Sequence, residues 1–351
     1  LLNPESEGEV QPQHAACEPH LVELWRNFIV DRMQAGADDD TIIQELVGLR
    51  VAREQAELLV GEFRDSLGDV QLDLAKMLGR KDRVVDTLTK GVAGLFRKNG
   101  IEHYQGHGRF ENANTVIVEG DGKPRKIQAE RILIATGSKS AALQGVEVDG
   151  DRIGTSTEAL AYESVPEQLI VIGGGYIGLE MGAVWSRLGA KVTVLEYLDR
   201  ILPGTDAEIA TEARKIFERQ GITFRLGSRV TGASTNGPSC RVECENAKPL
   251  ECDRVLLATG RAPNTEGLGL KEIGLETDKK GFIPVNDAFQ TSVKNIYAIG
   301  DVIGGPLLAH KAEEEGIACV EGVVKGHGHI NYDAIPSVVY THPEIAAVGK
   351  T

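Results

Sequence analysis

Between Gln168 and Glu196 the chain runs strand, glycine turn, helix, strand, acid, and few folds accept that order. Gln168-Leu169-Ile170-Val171-Ile172 has the continuous apolar character of a strand buried on both faces. It feeds directly into Gly173-Gly174-Gly175-Tyr176-Ile177-Gly178, and a helical run from Tyr176 to Leu188 follows, stopped by Gly189. A second strand, Lys191 to Leu195, then ends in Glu196. A G-x-G-x-x-G alone carries little weight. Set between a strand and a helix, with an acid closing the next strand, it is the fingerprint of a dinucleotide-binding βαβ unit.

Each position has a physical duty. Gly173 permits the tight turn, Gly175 lets the backbone approach a pyrophosphate, and Gly178 allows the helix to pack closely on the strand. The helix N-terminus offers free N–H groups and the positive end of its dipole to the phosphates. Glu196 can accept hydrogen bonds from both ribose hydroxyls and would repel a 2'-phosphate, so NAD(H) is expected over NADP(H). Glu180, one turn inside the helix, either serves the dipole or points toward the nicotinamide. Thr205 to Glu208 reads as a capping box for the next helix.

The N-terminal part has a different texture. Residues 1 to about 16 are polar, and three short helical stripes follow: Leu21, Trp25, Phe28 and Ile29; then Ile42, Ile43, Leu46 and Val47 after Asp38-Asp39-Asp40; then Ala56, Leu59, Val60 and Phe63. Gly36 and Gly48 stand where helices would stop. Residues 1–68 are therefore expected to form a small helical module, a docking or spacer element without chemistry, of a size at which a lone core is marginal. Beyond Gly68 a longer amphipathic helix carries Val84, Val85, Leu88, Val92, Leu95 and Phe96 on one side and stops at Asn99-Gly100. Short strands are expected at Ile101 to Tyr104, Thr115 to Val118 and Arg131 to Ala135.

Two further segments share a grammar: Ile132-Leu133-Ile134-Ala135-Thr136-Gly137-Ser138 and Val255-Leu256-Leu257-Ala258-Thr259-Gly260-Arg261 are apolar strands ending in Ala-Thr-Gly, which exposes backbone beside a ligand. A third, Ile296-Tyr297-Ala298-Ile299-Gly300-Asp301, ends in an acid. The expected fold class is α/β, with two Rossmann-like dinucleotide-binding folds preceded by the helical segment.

A net charge of −14 opposes nucleic-acid binding. No apolar run approaches the ~18–20 residues of a membrane span, and no basic-then-apolar leader opens the chain. These features lead to the expectation of a cytoplasmic protein that meets neither nucleic acid nor membrane. The five cysteines, Cys17, Cys240, Cys244, Cys252 and Cys319, are scattered, which suits reduced thiols, and none is spaced like a zinc ligand set. Cys240 and Cys244 share a strand face but lie roughly 13 Å apart at ~3.3 Å per residue, too far for a disulfide.

From about Asp69 to Thr351 these motifs resemble the flavoprotein disulfide reductases, and within them the dihydrolipoamide dehydrogenase branch. Pro306-Leu307-Leu308-Ala309-His310-Lys311-Ala312 with Glu315-Gly316, and Tyr197-Leu198-Asp199-Arg200-Ile201-Leu202-Pro203 after Glu196, carry the finer likeness. The resemblance implies two cofactors, FAD and NAD. For NAD it implies Gly173, Gly174, Gly175, Tyr176, Ile177, Gly178, Leu179, Glu180, Glu196, Val230 and Gly260. For FAD it implies Gly108 at the adenine end, Thr136, Gly137 and Ser138 along the dinucleotide, Asp301 on the ribityl chain, and Leu307, Leu308, Ala309 and His310 at the flavin. It divides the chain into 69–150 as part of the FAD domain, 165–285 as a complete NAD domain, 286–330 as the FAD domain's return and 331–351 as the start of a dimerisation domain.

The family also has an FAD turn followed by a C-x-x-x-x-C redox pair, which residues 1–68 lack. His342-Pro343-Glu344 looks similar to the family's His-Pro base but matches the first strand of the last domain, so no catalytic residue is assigned. The chain is expected to be a fragment, inactive alone, of an enzyme passing electrons from a reduced dithiol through FAD to NAD+. Its implied partner is a dihydrolipoamide-bearing protein of a 2-oxoacid dehydrogenase complex, and its implied whole form a homodimer. The competing readings are a soluble transhydrogenase or mercuric reductase relative, and a non-catalytic NAD(H)-binding sensor or docking protein.

Overall fold

The computed structural model describes residues 28, 29, 32, 38–49, 51, 53–67 and 72–350, and the chain divides into two compact units, Leu1–Leu72 and Asp73–Thr351. In the first, α1 (Asp39–Gly48) and α2 (Arg53–Leu67) form because each carries an apolar stripe of helical period. Asp38 caps α1, its carboxylate accepting the Thr41 N–H at 2.8 Å. Ile42, Ile43 and Leu46 meet Ala56, Val60 and Ile29 in a small core. The expected stripe members Leu21 and Trp25, the stop at Gly36 and the side chain of Phe63 lie outside the described residues, as does Cys17.

The second unit opens with α3 (Leu74–Lys98), capped by Asp73 and ended at Asn99, with Gly100 at φ +65°. Its apolar side, Val84, Val85, Leu88, Val92 and Leu95, is exposed. Three antiparallel strands follow, β1 (His107–Asn112), β2 (Thr115–Glu119) and β3 (Arg125–Gln128). The strand expected at Ile101–Tyr104 is instead irregular backbone. The pairing strand starts later, where Phe110 is buried against Ile134, Ile283 and Ile296, so tertiary burial outweighs the local β-type run.

Next come β4 (Ile132–Ile134), β5 (Ser138–Ser140), β6 (Ile153–Gly154), α4 (Ser156–Ala159), β7 (Gln168–Ile172), α5 (Tyr176–Arg187), β8 (Lys191–Leu195), α6 (Ala207–Arg219) and β9 (Thr223–Arg225). They are followed by a meander, β10 (Val230–Asn236), β11 (Ser239–Cys244) and β12 (Leu250–Cys252), then β13 (Arg254–Leu257), β14 (Arg261–Pro263) and β15 (Ile296–Ala298). Last come α7 (Ala309–Lys325), β16 (Ser337–Val339) and β17 (Ile345–Ala347).

The central sheet is parallel in the order β6-β13-β7-β8-β9. Leu169, Val171, Val192 and Val194 point to one face, against Leu179, Ala183 and Trp185 of α5 and Ala210, Ala213 and Phe217 of α6. Ile170, Ile172, Leu195, Val255 and Leu257 point to the other, against Cys240, Val242 and Cys252 of the meander. Both faces are covered, which is why β7 reads as an unbroken apolar run. β15 pairs in parallel with β4, and β14 pairs antiparallel with β5, Arg261 opposite Ser140. The expected capping box at Thr205–Glu208 is replaced by a simpler cap. Asp206 accepts the N–H groups of Glu208 and Ile209 at 2.9 and 3.3 Å, its charge suiting the helix N-terminus better than the Thr205 hydroxyl.

The described cysteines are all free. Cys240 and Cys252 stand directly opposite one another across β11 and β12, a pairing set by strand register that sequence spacing does not reveal. Burial pushes the Cys252 thiol up to about 12 and raises that of Cys240 as well, so both stay protonated at neutral pH and react poorly. With an aromatic disulfide reagent at pH 8, site-resolved mass spectrometry is expected to show these two labelled only as fast as the chain unfolds. Rapid labelling of either would mean that the meander opens in the native state.

Candidate dinucleotide-binding site

At the end of β7 the backbone turns so tightly that side chains are excluded. Gly173 has φ +114°, and a Cβ there would lie 2.3 Å from the Ala258 carbonyl oxygen. A Cβ on Gly178 would lie 2.2 Å from the Gly173 carbonyl oxygen. Gly175 differs: a Cβ there meets nothing within 4 Å. It is the N-cap of α5, in extended conformation, and no side chain caps that helix end. The first-turn N–H groups thus lack a side-chain acceptor beside an open space, the arrangement an anion occupies.

Glu196 is brought onto this turn. Only 9% exposed, it accepts the Gly174 N–H through Oε2 at 2.6 Å and the Leu198 N–H through Oε1 at 2.8 Å. Each carboxylate oxygen has two lone pairs, so both can still accept a hydroxyl. Gly260, at φ +126°, follows β13, and Val230 opens β10 against the second core face. Leu179 is buried in the core behind the turn. The Glu180 carboxylate accepts the Tyr340 N–H at 2.8 Å. Half-burial raises the Tyr176 hydroxyl, Asp301 and Glu180 add to the rise and Arg261 opposes it, which puts Tyr176 in the field of all three.

A second cluster forms where β5, β14 and the turn after β15 converge. The Asp301 carboxylate accepts the Ser138 hydroxyl. Arg261 donates through Nε to Ser138 Oγ at 2.6 Å and through Nη2 to Ser138 O at 2.7 Å, and its Nε lies 3.8 Å from Asp301. Thr136 donates to Asn264 O at 2.8 Å, and Gly137 has φ +68°. Leu308 caps α7 by backbone alone, with Leu307 and Ala309 on either side, while the His310 ring is hydrogen-bonded to Pro336 O at 2.6 Å. Gly108 lies in β1 opposite Val118 and makes none of these contacts. Sequence reasoning left Arg261, Lys311, Glu315 and Tyr332 without roles. The Ala-Thr-Gly-Arg motif hinted at Arg261, and the likeness over Pro306 to Gly316 at Lys311 and Glu315. Among the described residues no group of His, Cys, Asp and Glu is placed to hold a metal ion.

A parallel sheet with a glycine turn and acid, coupled to a second glycine-rich strand end with its own acid, defines a two-dinucleotide α/β protein. The chain belongs to the pyridine nucleotide-disulphide oxidoreductase family, whose sequence model matches residues 33–316. That match starts inside the stretch read as a separate helical module. The family's cofactors are FAD and a pyridine nucleotide. The chain is 47% identical over 291 residues to mitochondrial dihydrolipoyl dehydrogenase of Pisum sativum, covering 81% of this chain and 58% of that protein. It is 48% identical over 306 residues to mitochondrial dihydrolipoyl dehydrogenase of Dictyostelium discoideum, covering 85% and 63%. The crystal structure of LpdA from Mycobacterium tuberculosis superposes with a TM-score of 0.75 at 27% identity, covering 89% of this chain and 68% of that one. The chain thus spans about three-fifths of the length of the curated relatives it matches. The expected cytoplasmic location is corrected, since these relatives are mitochondrial. Charge balance and apolar run length carry no address. No described helix is long and apolar enough to cross a membrane.

Proposed function

We propose that this chain is the pyridine-nucleotide part and much of the flavin part of a dihydrolipoyl dehydrogenase. Residues 165–285 would supply its NAD domain, 69–150 and 286–330 its FAD-domain portions, and 331–351 the start of its dimerisation domain. Two features cross those bounds: β6 (Ile153–Gly154) adds the edge strand of the parallel sheet from outside 165–285, and Leu268, Leu270, Leu275 and Ile283 pack in the flavin-side core. The observation that carries this reading is Glu196, hydrogen-bonded to the glycine turn beside an uncapped, open helix N-terminus. Gly173 to Gly178 would seat the pyrophosphate, and Glu196 would hold the adenine ribose. Tyr176, Ile177, Glu180, Val230 and Gly260 would line the rest, with Gly174 and Leu179 contributing backbone.

On the flavin side Asp301 would hold the ribityl chain, and Thr136, Gly137 and Ser138 would follow the dinucleotide. Leu307, Leu308, Ala309 and His310 would meet the flavin, and Gly108 the adenine end. Arg261 places a cation beside Ser138 and Asp301, where it can offset phosphate charge. When bound, FAD supplies two-electron exchange between a dithiol and NAD+. The residues present bind, orient and balance charge; none is assigned as a catalytic residue. The whole protein would act as a homodimer on a dihydrolipoamide-bearing protein of a 2-oxoacid dehydrogenase complex.

The test is the visible spectrum of the purified chain with added FAD, before and after NADH. A bound-flavin spectrum that bleaches on NADH addition is the expected result, because NADH-to-flavin transfer needs no cysteine pair. The full dithiol-to-NAD+ reaction, which does, is expected to be absent in this chain. NADH binding without any flavin spectrum would favour an NAD(H)-binding sensor instead.

A further inference from the structure

Lys311 and Glu315, one turn apart on α7, are each 1% exposed and form an ion pair at 3.0 Å. Burying two charges is unfavourable unless the geometry is good and every remaining donor and acceptor is satisfied. Here they are. The ammonium has three donors and three acceptors around it: Gly304 O at 2.8 Å, Gly300 O at 3.3 Å and the Glu315 carboxylate. That carboxylate also accepts the Gly300 N–H through Oε2 at 2.7 Å and the Tyr332 hydroxyl through Oε1 at 2.9 Å.

The backbone targets are not scattered. Gly300 and Gly304 bracket the turn that carries Asp301, and both have positive φ, +75° and +84°. A Cβ on Gly300 would lie 3.2 Å from that of Ala312, so the turn is seated directly on α7. A pair needed only to fill space could be apolar and equally stable. This pair instead makes three directional bonds to the two ends of one turn, and that turn presents Asp301 to Ser138 and Arg261.

We propose that Lys311 and Glu315 are positioning residues that fix the Asp301 turn and thereby set the affinity of the flavin-side site. The proposal rests on reading Asp301 as the acid that holds the flavin dinucleotide.

Two readouts on the 351-residue chain test it: hydrogen exchange of the backbone segment 299–305, and FAD affinity from quenching of flavin fluorescence. The double variant Lys311→Met/Glu315→Leu removes both charges at similar volume. It is expected to keep its Tm within a few degrees, to exchange the segment at least about tenfold faster and to bind FAD at least about tenfold more weakly, a loss comparable to that of Asp301→Asn. Exchange and FAD affinity unchanged in the double variant, with affinity lost in Asp301→Asn, would overturn the proposal and leave the Asp301 reading standing. FAD affinity unchanged by Asp301→Asn would overturn that reading and the proposal with it, and in a parent that binds no FAD an unchanged exchange rate of the segment in the double variant would overturn the proposal. Should the double variant not fold, Tyr332→Phe decides: Tyr332 is 47% exposed, and losing its hydroxyl is expected to speed exchange of the segment by about threefold. No change there would also overturn the proposal.

Discussion

Gly175→Ala is expected to leave the melting temperature within about 2 °C of the parent while weakening NADH binding by about 100-fold, roughly 2.7 kcal/mol. Gly175 has φ −79°, which alanine adopts freely, and a Cβ there touches nothing within 4 Å. The folded chain therefore pays no steric penalty, and the smaller entropy of the unfolded alanine variant offsets minor losses. The methyl instead occupies the space where a pyrophosphate must approach the backbone. Gly178→Ala supplies the contrast. Its Cβ would lie 2.2 Å from the Gly173 carbonyl oxygen, backbone against side chain, with nothing flexible to give way. A loss of about 3 kcal/mol, read as a fall of about 6–12 °C in melting temperature, is expected. Fluorescence titration with NADH and thermal melts of both variants separate the two effects. Parent-like NADH affinity in Gly175→Ala would show that the open side of the turn is not where the ligand sits.

The second large effect is a change of coenzyme preference. In Glu196→Gln the NADH to NADPH affinity ratio is expected to fall by about 30-fold or more, because the charge that repels a 2'-phosphate is gone while the side-chain volume stays. Stability should also fall, by about 1–3 kcal/mol, because the amide accepts only through its uncharged oxygen, so one of the Gly174 and Leu198 N–H groups loses its acceptor and the other keeps only a neutral one. The two consequences part company in a direct test. A lower melting temperature with an unchanged affinity ratio would make Glu196 a strut for the glycine turn and nothing more.

The region from β7 to β8 was legible because its signals are local. The strand, turn, helix and acid are consecutive in sequence, and Gly173 and Gly178 report backbone positions where no Cβ fits. Where a partner lies far along the chain, the sequence is mute. Arg261 acquires its place from Ser138, and Ser138 from Asp301, through contacts that only the folded sheets create. Lys311 and Glu315 look like an ordinary surface pair one helical turn apart until Gly300 and Gly304 close over them. The misplaced strand at Ile101–Tyr104 has the same origin. His107–Asn112 is polar and glycine-containing, but register with β2 and burial of Phe110 select it. At Asp206 two neighbouring residues could each cap α6, and the carboxylate's charge at the helix N-terminus decided between them.

The pairing of β5 with β14 has a consequence for how such a chain could be rearranged. Ser140 and Arg261 are opposite partners on antiparallel strands, so everything from residue 141 to residue 260, the whole parallel sheet included, departs and returns through a single doorway. A two-residue hairpin turn suffices to join antiparallel neighbours. A gene of this architecture could therefore lose, gain or swap its nicotinamide cassette by one recombination event, with β4 and β15 still paired on the other side of the doorway.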